Sequence, residues 1–252
     1  MKTPIAAGLV AAILLAAPVS AEERQPCDIP GYLLAGTGEL RHVAAAVGQA
    51  RRLTVAVVGT GSSILAGPDG PRSAYPARLR EALMQRLPSV SVKVVTLVRS
   101  RMNAEDMAEG MGKLLADEKP DLVIWQTGTT DAIRRIEPDD FRAALDRGVE
   151  TVHDAGADVI LMNMQYSPRT DIMVALGPYA DVMRVVAQQH EVPLFDRLAI
   201  MRHWSDTGAM DLYAAGKDNV LAHRVHDCIG RGLASMIIDD ARIEEIEHKA
   251  AQ

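Results

Sequence analysis

Aromatic side chains are scarce: two tryptophans, five tyrosines and two phenylalanines make up 4% of 252 residues. Base-stacking platforms and sugar-stacking grooves are therefore poorly supplied. Basic charge is also in deficit, with 27 Lys and Arg against 33 Asp and Glu and a formal net charge of -6. Binding to nucleic-acid phosphates needs the opposite balance, so no nucleic-acid partner is expected. Cysteine is limited to Cys27 and Cys228, too few and too far apart for a metal motif, and no metal or cofactor is expected. Past the N-terminus no apolar run reaches the roughly 20 residues of a membrane span. What is plentiful is hydrophobic residues, at 48%, which excludes a disordered chain and suits one domain with a sizeable core.

The first residues bear on where the protein works. Lys2 precedes an apolar run from Pro4 to Pro18, and Val19-Ser20-Ala21 follows as a small-residue cleavage site. This pattern predicts a cleaved export signal over 1–21, and a periplasmic or secreted product with no membrane span after cleavage. The rival reading, an uncleaved anchor, needs more apolar residues than are present. In an oxidising compartment Cys27 and Cys228 can form a disulfide; the alternative is two separate buried thiols. Residues 22–50 read as an extension rich in proline and glycine with a short helix through Val43 to Val47, residues 51–240 as the main domain and 241–252 as a tail.

In the main domain, apolar β-branched runs alternate with amphipathic patterns. Leu53 to Val58, Val90 to Val98, Leu122 to Trp125, Val159 to Met162 and Val192 to Phe195 read as strands. Tyr75 to Leu87, Asn103 to Leu115, Pro138 to His153, Ile172 to His190 and Asn219 to Ile238 read as helices. Such alternation predicts an α/β fold, a three-layer doubly wound parallel sheet. Ligands of such sheets bind beyond the carboxyl ends of the strands. The segments found there are Gly59-Thr60-Gly61-Ser62-Ser63, Arg99-Ser100-Arg101 and Thr127-Gly128-Thr129-Thr130-Asp131.

Serine at a glycine-rich turn between strand and helix is a sensible seat for a nucleophile, since helix N-terminal amides can stabilise negative charge beside it. Simple helix capping by Ser62 or Ser63 is the alternative. A phosphate loop is excluded because its lysine is missing, and a dinucleotide fingerprint because Ile64 stands where its third glycine belongs. Leu65 likewise replaces the last glycine of an α/β-hydrolase elbow.

Together the blocks resemble the SGNH (GDSL-like) hydrolases over about Arg51 to Ile238. Val55 to Ser63 is similar to the first block, with Gly-Ser-Ser in place of Gly-Asp-Ser, and Tyr75-Pro76-Ala77-Arg78-Leu79 to a segment that follows it. Asp121 to Asp131 is similar to the third block. The resemblance implies a flavodoxin-like sheet and a serine esterase or carbohydrate deacetylase with Ser63 as nucleophile, acting on a small acyl ester or acetylated carbohydrate. Its oxyanion hole would combine Ser63, Arg101 and Thr130, although the family's glycine and asparagine are replaced at the last two. Ser62, Gly128 and Asp131 are candidate substrate contacts.

The last block departs further. Asp218-Asn219-Val220-Leu221 puts leucine where the resemblance calls for the general base. His223, oriented by Asp218, is the expected substitute, with His226 beside it; the alternative places both histidines on a solvated helix face. Arg99, Arg101, Arg134, Arg135 and Arg169 fall near strand ends, where they could favour an anionic ligand such as a carboxylate or acidic sugar, or simply form surface pairs. Two functions remain open: a slow or specialised exported ester hydrolase, and a non-catalytic binding protein for an envelope glycan or protein partner.

Overall fold

Five strands form one parallel sheet in the order β2-β1-β3-β4-β5, with β1 Arg52–Gly59, β2 Ser91–Val98, β3 Leu122–Gln126, β4 Asp158–Met162 and β5 Leu194–Phe195. In this computed structural model residues 27, 29–34, 38–213 and 219–250 are described. The leader expected over 1–21, and Asp218, lie outside them. Every residue of β3 and β4 is buried, as expected of strands covered on both faces, and their uninterrupted apolar runs make them so.

The helices are α1 Arg41–Ala45, α2 Gly70–Ser73, α3 Tyr75–Arg86, α4 Ala104–Glu118, α5 Thr129–Arg134, α6 Pro138–Asp154, α7 Pro168–Met173, α8 Gly177–Gln189, α9 Arg197–Asp206, α10 Val220–Asp240 and α11 Ile243–Ala250. α3 packs on α10, while α4 packs on α6 and α6 on α8. The sheet thus lies between two helical layers, the expected three-layer architecture. Sequence signals fix several boundaries. Asn103 and Asp106 form a reciprocal capping box at α4, satisfying two backbone donors that the first turn leaves free. Gly148 lets α6 approach the sheet, because a Cβ there would lie 2.3 Å from the Trp125 ring.

The structure differs from expectation in three places. The helix expected over Ile172 to His190 is two, α7 and α8, since Pro178 at the start of α8 cannot continue a helix from before it. Helix α9, which the sequence reading left unassigned, begins where the Asp196 carboxylate accepts from Ala199 N at 3.0 Å. Residues 243–250 of the expected tail are helical, with Ile243 buried.

Cys27 and Cys228 are joined by a disulfide that clips the N-terminal extension to α10. Ile29 continues the contact: its Cδ1 would lie 2.9 Å from a Cβ at Gly232.

Candidate active site

Strand β1 ends at Gly59, and Gly61–Ser63 form a single 3-10 turn closed by Ser63 N donating to Thr60 O at 2.9 Å. This turn sends its two serines in different directions. Ser63 folds back beneath the strand end, where only glycine leaves room: a Cβ on Gly59 would lie 2.4 Å from Ser63 Oγ. Ser63 is 1% exposed, and its hydroxyl is shared between Gln126 Oε1 at 3.0 Å and the Tyr75 hydroxyl at 2.9 Å. Ser62 instead lines a cavity of about 510 Å³ walled by the loops after β1 and β4, by α9 and by the start of α10.

Gln126, the last residue of β3, organises the turn. Its fully buried Oε1 receives Thr60 N at 3.1 Å, Thr60 Oγ1 at 3.2 Å and both serine hydroxyls. An amide oxygen has two lone pairs, so these hydroxyls compete for it, and each is free to rotate to another acceptor.

Arg197, first residue of α9, reaches the cavity from just beyond the edge strand β5. Asn163, just after β4, steers it: Asn163 Oδ1 accepts from Leu198 N at 2.9 Å and Nδ2 donates to Asp196 Oδ1 at 2.7 Å. The guanidinium is 0% exposed and donates to Ser62 Oγ at 3.2 Å, Ser62 O at 3.3 Å and Gln165 Oε1 at 3.0 Å. Because Arg197 donates to Ser62 Oγ, the Ser62 proton is left to point at Gln126. Burial pushes the guanidinium pKa down to about 10, which still leaves it charged at neutral pH.

His226 also lines the cavity. It sits on the buried face of α10, and its Nδ1 accepts from Tyr75 N at 2.9 Å, the first N–H of α3. No side chain caps α3 otherwise, so the imidazole takes the place of an N-cap acceptor. The rings of Tyr75 and His226 stack with centroids 5.9 Å apart. Burial first, then the charges of Arg197 and His223, hold the His226 pKa down at about 3. The ring is thus neutral near pH 7, and because Nδ1 accepts, its proton is on Nε2. In this tautomer His226 presents a donor to the cavity, not a base.

The expected site residues are only partly brought together. Of Ser62 and Ser63, the cavity-facing hydroxyl belongs to Ser62, expected as a substrate contact. Ser63, expected as the nucleophile, is enclosed. His223 is half-buried in the first turn of α10 and does not line the cavity; the histidine that does is His226, one helical turn further on. Arg101 has φ 67°, the left-handed conformation that favours glycine, the residue the resemblance calls for there, and its carbonyl accepts from Arg134 Nη2 at 2.9 Å. Neither Arg101 nor Thr130 lines the cavity. Gly128, also left-handed at φ 97°, packs under Met164, with 2.5 Å between a Cβ there and Sδ. Asp131 is buried, accepts from Ala104 N at 3.0 Å and ties the start of α5 to that of α4. These two are structural in position. Arginines expected around the strand ends are absent from the cavity wall, where Arg197 is the arginine present.

Sequence reasoning passed over Gln126, Arg197 and Gln165. A polar residue closing a wholly apolar strand was the available signal for Gln126. For Arg197 it was the Asp196 cap just before it, which marks a helix start at the carboxyl end of a strand.

A family model described as the non-GDSL lipase-like family matches residues 26–243. An arylesterase of Vibrio mimicus is 26% identical over 112 residues, 43% of this chain, and the chain spans about half, 54%, of that relative's length. Among solved structures, TesA superposes with a TM-score of 0.58 at 24% identity, covering 73% of this chain and 99% of that one. A two-domain esterase active on acetylated mannans superposes with a TM-score of 0.62 at 15% identity, covering 82% of this chain and 56% of that one. These structural likenesses establish a shared fold, that of the SGNH esterases. A first block without Gly-Asp-Ser, followed by a match over most of the sequence, means that the chain belongs to the non-GDSL lipase-like family.

Proposed function

We propose that the chain is an exported ester hydrolase acting on a small acyl ester or an acetylated carbohydrate, with Ser62 as its nucleophile. The observation that carries this reading is the pair of serine environments. Ser62 Oγ lies on the cavity wall between Gln126 and Arg197, whereas Ser63 Oγ is enclosed by Gln126 and Tyr75. The arylesterase relative and the mannan-active structural neighbour support the reaction class.

Attack by Ser62 on an acyl carbonyl passes the serine proton to a base, which returns it to the departing alkoxide as the ester to Oγ forms; water then hydrolyses that ester, releasing the acid and restoring the serine. His226 is the candidate base, and two features hold it back. Its Nε2 is already protonated while Nδ1 accepts from Tyr75 N. Its pKa near 3, against an ordinary 6.5, sets roughly 5 kcal/mol against the imidazolium, at ~1.4 kcal/mol per tenfold change. Turnover therefore requires the imidazole to leave the Tyr75 amide and exchange tautomers, and slow turnover is expected. The same two features favour a second reading, a binding protein that keeps the cavity without turning over.

Labelling with a fluorophosphonate, followed by peptide mapping, and hydrolysis of p-nitrophenyl acetate and acetylated mannooligosaccharides test the proposal. Label on Ser62, with activity lost in Ser62→Ala and kept in folded Ser63→Ala, is the expected result. Activity that survives Ser62→Ala overturns the assignment of the nucleophile. Absence of both label and turnover in folded protein selects the binding-protein reading.

A further inference from the structure

Among the described residues Arg197 is a buried cation without a counterion. Its acceptors, the Ser62 hydroxyl and carbonyl and the Gln165 amide oxygen, are all neutral, and its buried Nε has no partner. No carboxylate among the described residues pairs with it, and the neighbouring Tyr75 is a buried phenol whose pKa is raised by burial, so it is neutral near pH 7. Burying a charge without a partner is costly, and proteins ordinarily pair such a group or give it to a ligand.

The guanidinium borders the cavity that Ser62 and His226 also line, and its volume of about 510 Å³ is that of a small-molecule site. Among the described residues no Asp, Glu or Lys lines this cavity, and His226 is neutral there, so Arg197 is the charged group they give it. The other polar groups of the wall include the uncharged Ser62 and Gln165, which Arg197 contacts, and Ser167 and Asn219. Leu65 and Tyr166 supply apolar surface. One fixed charge matches a monoanion; a phosphate monoester would bring a second charge with no partner. The buried charge of Arg197, carried to the wall through its bonds to Ser62 and Gln165, favours a carboxylate in the cavity, and the lining amides and hydroxyls suit a ligand bearing hydroxyl groups.

From this we infer that the cavity recognises a hydroxylated carboxylate, a sugar acid of the uronate class, with the charge of Arg197 selecting its carboxylate. This deepens the hydrolase proposal by naming the substrate class and rests on the same cavity, but binding can be measured without turnover.

The test uses the full mature chain, with D-galacturonate as probe and D-galactose as its neutral counterpart, measured by saturation-transfer NMR and thermal shift. Galacturonate is expected to bind at least tenfold more tightly than galactose. Arg197→Met should abolish that preference, and Arg99→Ala, a change outside the cavity, should leave it intact. Should Arg197→Met fail to fold, Ala222→Trp fills the cavity wall with Arg197 in place and should remove binding of galacturonate. Equal affinity for the two sugars, no binding of either, or a preference that persists in Arg197→Met or Ala222→Trp each overturns the inference. Ser62→Ala separates the two proposals: if it loses fluorophosphonate labelling but still prefers galacturonate, recognition stands independently of the nucleophile. Labelling without any galacturonate preference leaves the hydrolase and removes the uronate.

Discussion

Replacing His226 by asparagine should flatten the acid side of the stability profile. Asparagine Oδ1 can stand where Nδ1 accepts from Tyr75 N, so the helix cap is kept and the titration is removed. The folded protein holds the imidazole near pKa 3, chiefly by burial, whereas the unfolded chain returns it to about 6.5. Between these values the unfolded state binds a proton that the folded state does not, so stability rises with pH. The contribution is complete above pH 6.5 and is lost as pH falls toward 3. Its slope is ~1.4 kcal/mol per pH unit, or about 3 kcal/mol by pH 4.5. Asp240 acts oppositely. Burial and the charge of Asp239 raise its carboxyl to about 7, so its contribution is present at low pH and is lost as pH rises through 7. Its partial exposure reduces that effect, and it is common to both proteins. The informative quantity is therefore the difference between them. Urea unfolding followed by far-UV circular dichroism at pH 7.5, 6.0 and 4.5 should show wild type losing about 3 kcal/mol more than His226→Asn over that range. Parallel profiles would refute the placement of a neutral imidazole beneath Tyr75.

Reduction of the Cys27–Cys228 bond, or Cys27→Ser with Cys228→Ser, opens a loop of 201 residues; the chain-entropy model assigns it roughly 5 kcal/mol, and the urea midpoint should fall accordingly. An unchanged midpoint would mean that the extension contributes nothing through its tether. Gly230→Ala places a Cβ 2.7 Å from both Arg78 Cβ and Leu79 N, which forces α3 from α10 at a cost of about 1–3 kcal/mol. Because Tyr75 and His226 lie on those two helices, the variant should also shift the His226 imidazole resonances in NMR, and unchanged resonances would mean that the two helices do not set the Tyr75–His226 contact.

Much of the architecture was legible in the sequence because burial on both faces leaves a plain signature. β3 and β4 are short runs of apolar residues between turn residues, and each appears within a residue or so of its expected place. The exception is β5, which pairs only at Leu194 and Phe195 although the apolar run begins at Val192. At the sheet edge, hydrogen bonding to one neighbour decides a strand's extent, and hydrophobicity does not report it. Helix α9 was missed because its polar, histidine-containing stretch lacks a clear apolar stripe, although Trp204, Ile200 and Leu198 are buried.

The site was harder to read for a geometric reason. Two adjacent serines in a 3-10 turn differ by roughly 120° in direction, so which faces outward depends on space behind the strand, here the missing Cβ of Gly59. Similarly, His223 and His226 are separated by nearly one turn of α10, yet their environments diverge because α3 delivers a free amide to one of them. Both choices rest on contacts between segments far apart in sequence, Ser63 with Gln126 and Tyr75 with His226. Arg197 extends the same point to electrostatics. A chain with net charge -6 has no shortage of carboxylates, yet none among the described residues is placed beside this guanidinium at the cavity wall. Charge composition describes the surface as a whole, whereas the described wall of the cavity carries one arginine and no acid, and it is that local imbalance which a ligand must answer.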